Sequence, residues 1–579
     1  MRAAPAFTAY NFQVHLQPAA AAMQVELRAT LRNTAAAPLP TLPLQLSASL
    51  HFEHIRLVNQ SPTQSPDTPL PFAVHTLQSD ADHTGALTEA AVALPTSLAP
   101  GASLSLVIDY SGTIEPSTLR LDRIGTPATL AAESDWDCIG AEFTGLRGFG
   151  DTVWYPVTSV PALLGDGAAL FHEIGRQQQQ NSAATVRMDV TVEYTGDAPN
   201  FAVLAGHRVL VGAPLSLPTA SFPGVAHVAL PATSLGFAVP TLVLATRQAA
   251  GANASLAVAA QPDHADTAPR YLSAAALLDP LYADWLGKPT HPLLLLDLPI
   301  EGGAPAQDGD ALLLSLNHVP PSTLAASLAG PLTRAHFTSP RAWLEDGVQG
   351  LMTVVWTERT EGHDRAIQQL SGPRSALAFV EPASPGVSPG QPLLTATDPI
   401  YYRAKATSVL WMLRSLAGDT ALASALRAYN PAEDTTPGYF ESLVAHAMAA
   451  EAPPTSPDSA GTPDATAASA AAELHSFFTD WVYGDPGLPD LSITNVFSSR
   501  TGAGDQWLVA VEVANSGYAE AEVPITVRSA GTTKTIEVRV PARGNLSRRI
   551  LLLGAPVEVD VNDGSVPEIE ASLHKRLIQ

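Results

Sequence analysis

Cysteine is almost missing from this chain. Cys138 is the single one in 579 residues, so an intramolecular disulfide and a cysteine-rich zinc site are both excluded. Lysine is nearly as scarce: Lys288, Lys405, Lys534 and Lys575 are the only four, and arginine supplies most of the positive charge. The formal net charge is −24. A chain of that sign repels phosphate backbones, which argues against nucleic acid as a partner. The acids are scattered and not blocked, the pattern of a solvated surface, with steering of cationic ligands as its functional counterpart. Long apolar runs are lacking as well. The longest, "PLLLLDLPI" at 292–300, is interrupted by Asp297 and falls short of the roughly 18 to 20 residues of a membrane helix, so no integral membrane segment is expected. The opening "MRAAPAFTAYNFQVHL" has no apolar signal region. A secreted or periplasmic protein whose leader lies outside this numbering is favoured over a cytoplasmic one.

What is abundant is apolar residues, at 46%, and proline, at 50 residues. The first allows large cores, and the second breaks helices and shapes loops. Residues 1–240 read as β: Phe12, Val14 and Leu16 alternate, and so do Val186, Met188, Val190 and Val192 in "ATVRMDVTVEYTG". From about 250 strands and helices mix. "NASLAVAAQP", "HPLLLLDLP" and "DALLLSL" read as strands, and "TAPRYLSAAALLDPLYADWLG" as a helix interrupted at Pro280. The spacing predicts further helices over 321–335, 342–358, 363–371, 402–417 and 419–429. Pro-, Ser- and Ala-rich insertions at 381–396 and 452–472 read as loops that cannot bury enough surface to order themselves. After 487 short strands return, with turn signals at Gly517, Gly531 and Gly544. The expected class is multidomain α+β. Its parts are an N-terminal β-sandwich or saddle domain (1–245), an α/β-to-helical domain (246–486) and a C-terminal β-sandwich of immunoglobulin type (487–579).

This order of domains resembles the gluzincin aminopeptidases, the membrane-alanyl-aminopeptidase-like metallopeptidases. "LAPGASLSLVIDYSGTI" looks like the family's late N-domain strand, and "DTVWYPV" at 151–157 looks like its Trp-Tyr-Pro segment. "LLLDLPIEGGAPAQDGDALLL" stands where the family places its Gly-Ala-Met-Glu-Asn substrate loop. "PRAWLEDGVQG" at 340–350 is similar to the helix with the third zinc ligand, and "YYRAKATSVLWMLRSLAGDTALASALRAY" to the helix pair after the catalytic tyrosine. "LHSFFTDWVYGDPGLPDLSI" is similar to the end of the catalytic domain. The resemblance implies a thermolysin-like central domain.

The chemistry of that family is missing. Its members bind zinc through two histidines four residues apart on one helix face and a glutamate from the next helix, and a glutamate beside the first histidine activates water. Sixteen histidines occur here, and no two are four apart. Aligned on "WLEDG", Gly330 takes the place of the first histidine, Pro331 that of the catalytic glutamate and Arg334 that of the second histidine. Asp346 replaces the third ligand. Gln307 replaces the glutamate that holds the substrate amine, and Arg403 replaces the tyrosine, with Tyr402 adjacent. Arg334 and Asp346 are expected to pair where the metal would sit. Gln307 and Tyr402 remain as candidate substrate contacts. "HEIGR" at 172–176 begins like a zincin motif but ends in Arg176, and reads as a loop or strand edge.

The resulting expectation is a catalytically inactive aminopeptidase-like protein with no cofactor, whose cleft binds a peptide or protein segment. The competing expectation is an active metal-dependent aminopeptidase with an unrecognised ligand set, in which case the cofactor is zinc.

Overall fold

The computed structural model describes residues 5–59, 67–380, 390–451, 463–501, 505–570 and 574–578, with the backbone alone for 463–468. The protein is multidomain α+β and divides into two compact units. One comprises residues 1–277 and 289–325, the other 278–288 and 326–579. The 245/246 boundary read from the sequence falls inside the first unit, and the 486/487 boundary inside the second.

In the first unit, a seven-stranded sheet is built around the strand Ala6–Gln17. It pairs antiparallel with Ala22–Arg32 and parallel with Thr185–Tyr194. Alternation puts Phe12, Val14, Leu16, Leu27, Met188 and Val190 into the core. Trp154 and Tyr155, from the "DTVWYPV" stretch, are buried there too, with the Trp154 ring 5.1 Å from that of Phe12. A separate five-stranded sheet has a parallel centre of Leu256–Ala260, Leu293–Asp297 and Ala311–Leu314, with antiparallel edges Gln248–Ala252 and Ala306–Asp308.

The second unit contains the helices Ala342–Glu361, His363–Leu370, Ala406–Ala417, Asp419–Ala428 and Tyr439–Glu451. It ends in two antiparallel sheets, three strands in one and four in the other. Val509, Val511 and Val513 of one sheet and Val523, Ile525 and Val527 of the other are buried, and the residues between them are more exposed.

Four local expectations are corrected. "HEIGR" lies on the helix Ala169–Asn181, because Ala, Leu, Arg and Gln favour helix even where no apolar stripe announces one. The helix Ala268–Trp285 runs on through Pro280, since Leu278, Leu281, Tyr282 and Trp285 are all buried and packing outweighs one lost hydrogen bond. The 321–335 segment is instead a helix, Pro321–Leu328, and a separate 3-10 turn, Pro331–Ala335. Pro331 has no N–H for a continuing helix and starts the new turn. Of the proline- and alanine-rich insertions, 381–389 and 452–462 lie outside the described residues. The rest of the second insertion, 463–472, belongs to the helix Pro463–Phe478, whose alanines carry high helix propensity.

Candidate functional site

The "PRAWLEDGVQG" stretch opens the Ala342–Glu361 helix. Ser339 Oγ accepts the Arg341 N–H at 3.0 Å, and the Arg341 guanidinium grips Asp434 through Nε (3.1 Å) and Nη2 (2.9 Å). This clamp fixes the direction in which the helix starts. Trp343 and Leu344 turn into the core, where the Trp343 ring meets Phe440 edge-on at 6.1 Å. The next two residues, Glu345 and Asp346, face two different neighbours. Successive side chains on a helix diverge by about 100°, so adjacent acids cannot share one partner easily.

Glu345 Oε1 lies 2.6 Å from Arg334 Nη1, which comes from the Pro331–Ala335 turn. Asp346 Oδ2 accepts from Arg403 Nε at 3.0 Å, and Arg403 belongs to the π-helical turn Ile400–Lys405. The expected partner of Arg334 is therefore displaced by one residue: Arg334 holds Glu345, and Asp346 is held by Arg403. Both carboxylates are largely covered, whereas the Arg403 side chain is 66% exposed. Burial pushes the Glu345 carboxyl up to about 7; Arg334 works against the shift and Asp346 adds to it. The Arg334 Nε is buried with no hydrogen-bond partner among the described residues.

Gly330 is held by close packing. A Cβ built there would lie 2.8 Å from Thr353 Oγ1 and 3.4 Å from the Gln349 carbonyl oxygen. Its φ is −78°, so glycine is required by the close approach of the turn to the 342–361 helix and not by backbone conformation. Any side chain at this position requires Thr353 to move. Pro331 is the first residue of the turn.

Tyr402 is buried beside this pair, and the Arg403 guanidinium lies over its ring at 5.5 Å. Burial pushes the phenol up to about 12, so it stays protonated at neutral pH. Three residues on, Lys405 is fully buried and pairs with Asp485 at 2.6 Å, between the rings of Tyr401 (5.4 Å) and Trp481 (5.8 Å). Nothing in the spacing of the sequence marks this pair.

Gln307 belongs to the first unit and the other candidates to the second. It sits half-buried on the edge strand Ala306–Asp308, opposite Leu312. Of the two histidines nearest in sequence, His318 is exposed in the first unit. His336 stacks on Tyr282 at 4.4 Å and its Nδ1 is bonded to the Gly287 carbonyl at 2.9 Å, a structural histidine. In "HEIGR" itself, Glu173 pairs with Arg176 at 2.6 Å and accepts the Val160 N–H at 2.8 Å.

Zinc is what the resemblance implies, and the residues present do not fit it. Gly330 and Pro331 offer no donor, Arg334 brings a cation, and the two carboxylates are taken up by guanidinium groups. Among the described residues, no three of His, Cys, Asp or Glu converge as a metal site would need. No family model matches the chain, and no curated protein matches it.

Proposed function

We propose that this chain is a non-catalytic protein of gluzincin aminopeptidase-like architecture, with a thermolysin-like centre and an immunoglobulin-like C-terminal sandwich, and that its role is to bind a peptide or protein segment. The observation that carries this reading is the pair of arginine–carboxylate contacts, Arg334–Glu345 and Arg403–Asp346. By the sequence resemblance, Arg334, Asp346 and Arg403 fall where the family keeps its second histidine, its third ligand and its tyrosine, and Glu345 is the neighbour of the third. A guanidinium satisfies a covered carboxylate much as a metal would, so the helix start can be kept while the catalytic charge is lost. The tightly approached Gly330 supports the same reading, because a ligand side chain there needs the Thr353 side chain to give way as well. A fold does not carry an activity without its site.

The test is hydrolysis of aminoacyl-coumarin amides by the full chain, with and without added zinc. The expected result is turnover at the buffer background under both conditions. Turnover that a chelator abolishes overturns the proposal in favour of an active metallo-aminopeptidase.

A further inference from the structure

The second unit holds a cavity of about 320 Å³, at the low end of the range for small-ligand pockets. One wall comes from the helices and carries Trp411, Phe477 and Trp481. The other comes from the four-stranded sheet and carries Glu522 and Glu537. The lining also contains Glu358, Asp419 and Asp563, against only two groups of positive sign, Arg414 and His363.

Those two cations are already engaged. Arg414 bonds Glu358 and Asp419, each at 2.6 Å, and lies over the Trp411 ring at 4.6 Å. His363 joins Glu358 through Nδ1 (2.8 Å) to Asp563 through Nε2 (3.4 Å). Glu522 and Glu537 make no ion pair or hydrogen bond among the described residues. Strand register places Glu522 opposite Arg539 and Glu537 opposite Pro524, so the two glutamates are diagonal neighbours on one face. Their Cβ atoms are then roughly 7 Å apart. Arg539 is turned to other acids, Glu520 and Glu473.

We infer that this cavity is a binding site for an organic cation, an alkylammonium or guanidinium group on an apolar stem, held between Glu522 and Glu537 with its stem against the aromatic wall. Three features of the site favour this class. The lining is acidic beyond what its own cations neutralise, the wall opposite is aromatic and suited to the methylenes of a stem, and the volume exceeds that of a bare ion. A metal ion is disfavoured by geometry, since no three ligating side chains converge among the described residues. Both glutamates are exposed residues; partial desolvation and neighbouring acids hold their carboxyls above the ordinary range, and Arg539 partly offsets this at Glu522. The inference does not rest on the proposed function, because none of the cavity residues belongs to the Arg334, Asp346 and Arg403 set.

Lysine or arginine side chains of a peptide, and free alkyl diamines, share this chemistry. The test is calorimetric titration of the full chain at low salt with N-acetylated, C-amidated lysine and arginine peptides and with 1,4-diaminobutane, beside a norleucine peptide as the neutral control. Saturable binding of a cation with none of norleucine is expected, weakened about ten-fold for each carboxylate removed in Glu522→Gln and Glu537→Gln. Binding of the blocked peptides assigns a peptide side chain, and binding of the diamine alone assigns a small amine. The double variant should also melt at a higher temperature than the parent at neutral pH, since folding raises both carboxyls and so disfavours their ionised form. Absence of saturable binding by every cation, unchanged affinity in the double variant, or a lower melting temperature overturns the inference.

Discussion

At the scale of single residues, the account turns on Arg334. It is the neighbour whose attraction works against the rise of Glu345, whose folded value is about 7 against an ordinary 4.5. For a carboxyl raised in this way the ionised form is disfavoured by folding. The cost is full above about 7 and fades as pH falls toward 4.5. Arg334→Ala removes the guanidinium and leaves the carboxylate covered. The expected loss is about 1–3 kcal/mol at pH 8, less than for a fully buried pair because both partners keep some exposure. At pH 6 the loss should be smaller, because Glu345 then takes a proton in place of its partner. Urea unfolding at the two pH values measures this. Equal losses at both would show that the arginine acts through packing and not through charge.

Elements explain what the sequence could and could not disclose. The alternation Val186, Met188, Val190, Val192 made the strand Thr185–Tyr194 legible, because one face is buried along its whole length. Phe12, Val14 and Leu16 made Ala6–Gln17 legible as a strand, but its parallel pairing with Thr185–Tyr194 was not, since pairing across some 170 residues is decided by tertiary packing. The helix Ala169–Asn181 escaped because its run of glutamines offers no apolar period. In the candidate site, Trp343 and Leu344 were readable as core, and Gly330, Pro331 and Arg334 as side chains that offer no metal ligand. The partners were not readable: which acid meets Arg334 depends on where the Pro331–Ala335 turn lies against the 342–361 helix. That placement is set by Gly330. Gly330→Ala brings a Cβ against Thr353 Oγ1 and should cost about 1–3 kcal/mol of stability. Thr353→Ala in the same chain should recover much of it, as a double-mutant cycle by urea unfolding would show. Additive losses would mean that the turn yields and the close approach is not a constraint.

For the molecule as a whole, the acidic balance has a local consequence. With a net charge of −24, carboxylates outnumber their partners: Arg414 is shared by Glu358 and Asp419, whereas Arg341 and Lys405 are each committed to one largely buried acid. The candidate site has two arginines of its own for two acids, which leaves no net charge there to attract a divalent ion. The most direct test is elemental mass spectrometry of the full chain, purified without a metal-affinity tag and dialysed after exposure to zinc. The account predicts zinc far below one equivalent and the same melting temperature with and without chelator. About one zinc per chain, removed by chelator with a fall in melting temperature, would contradict it.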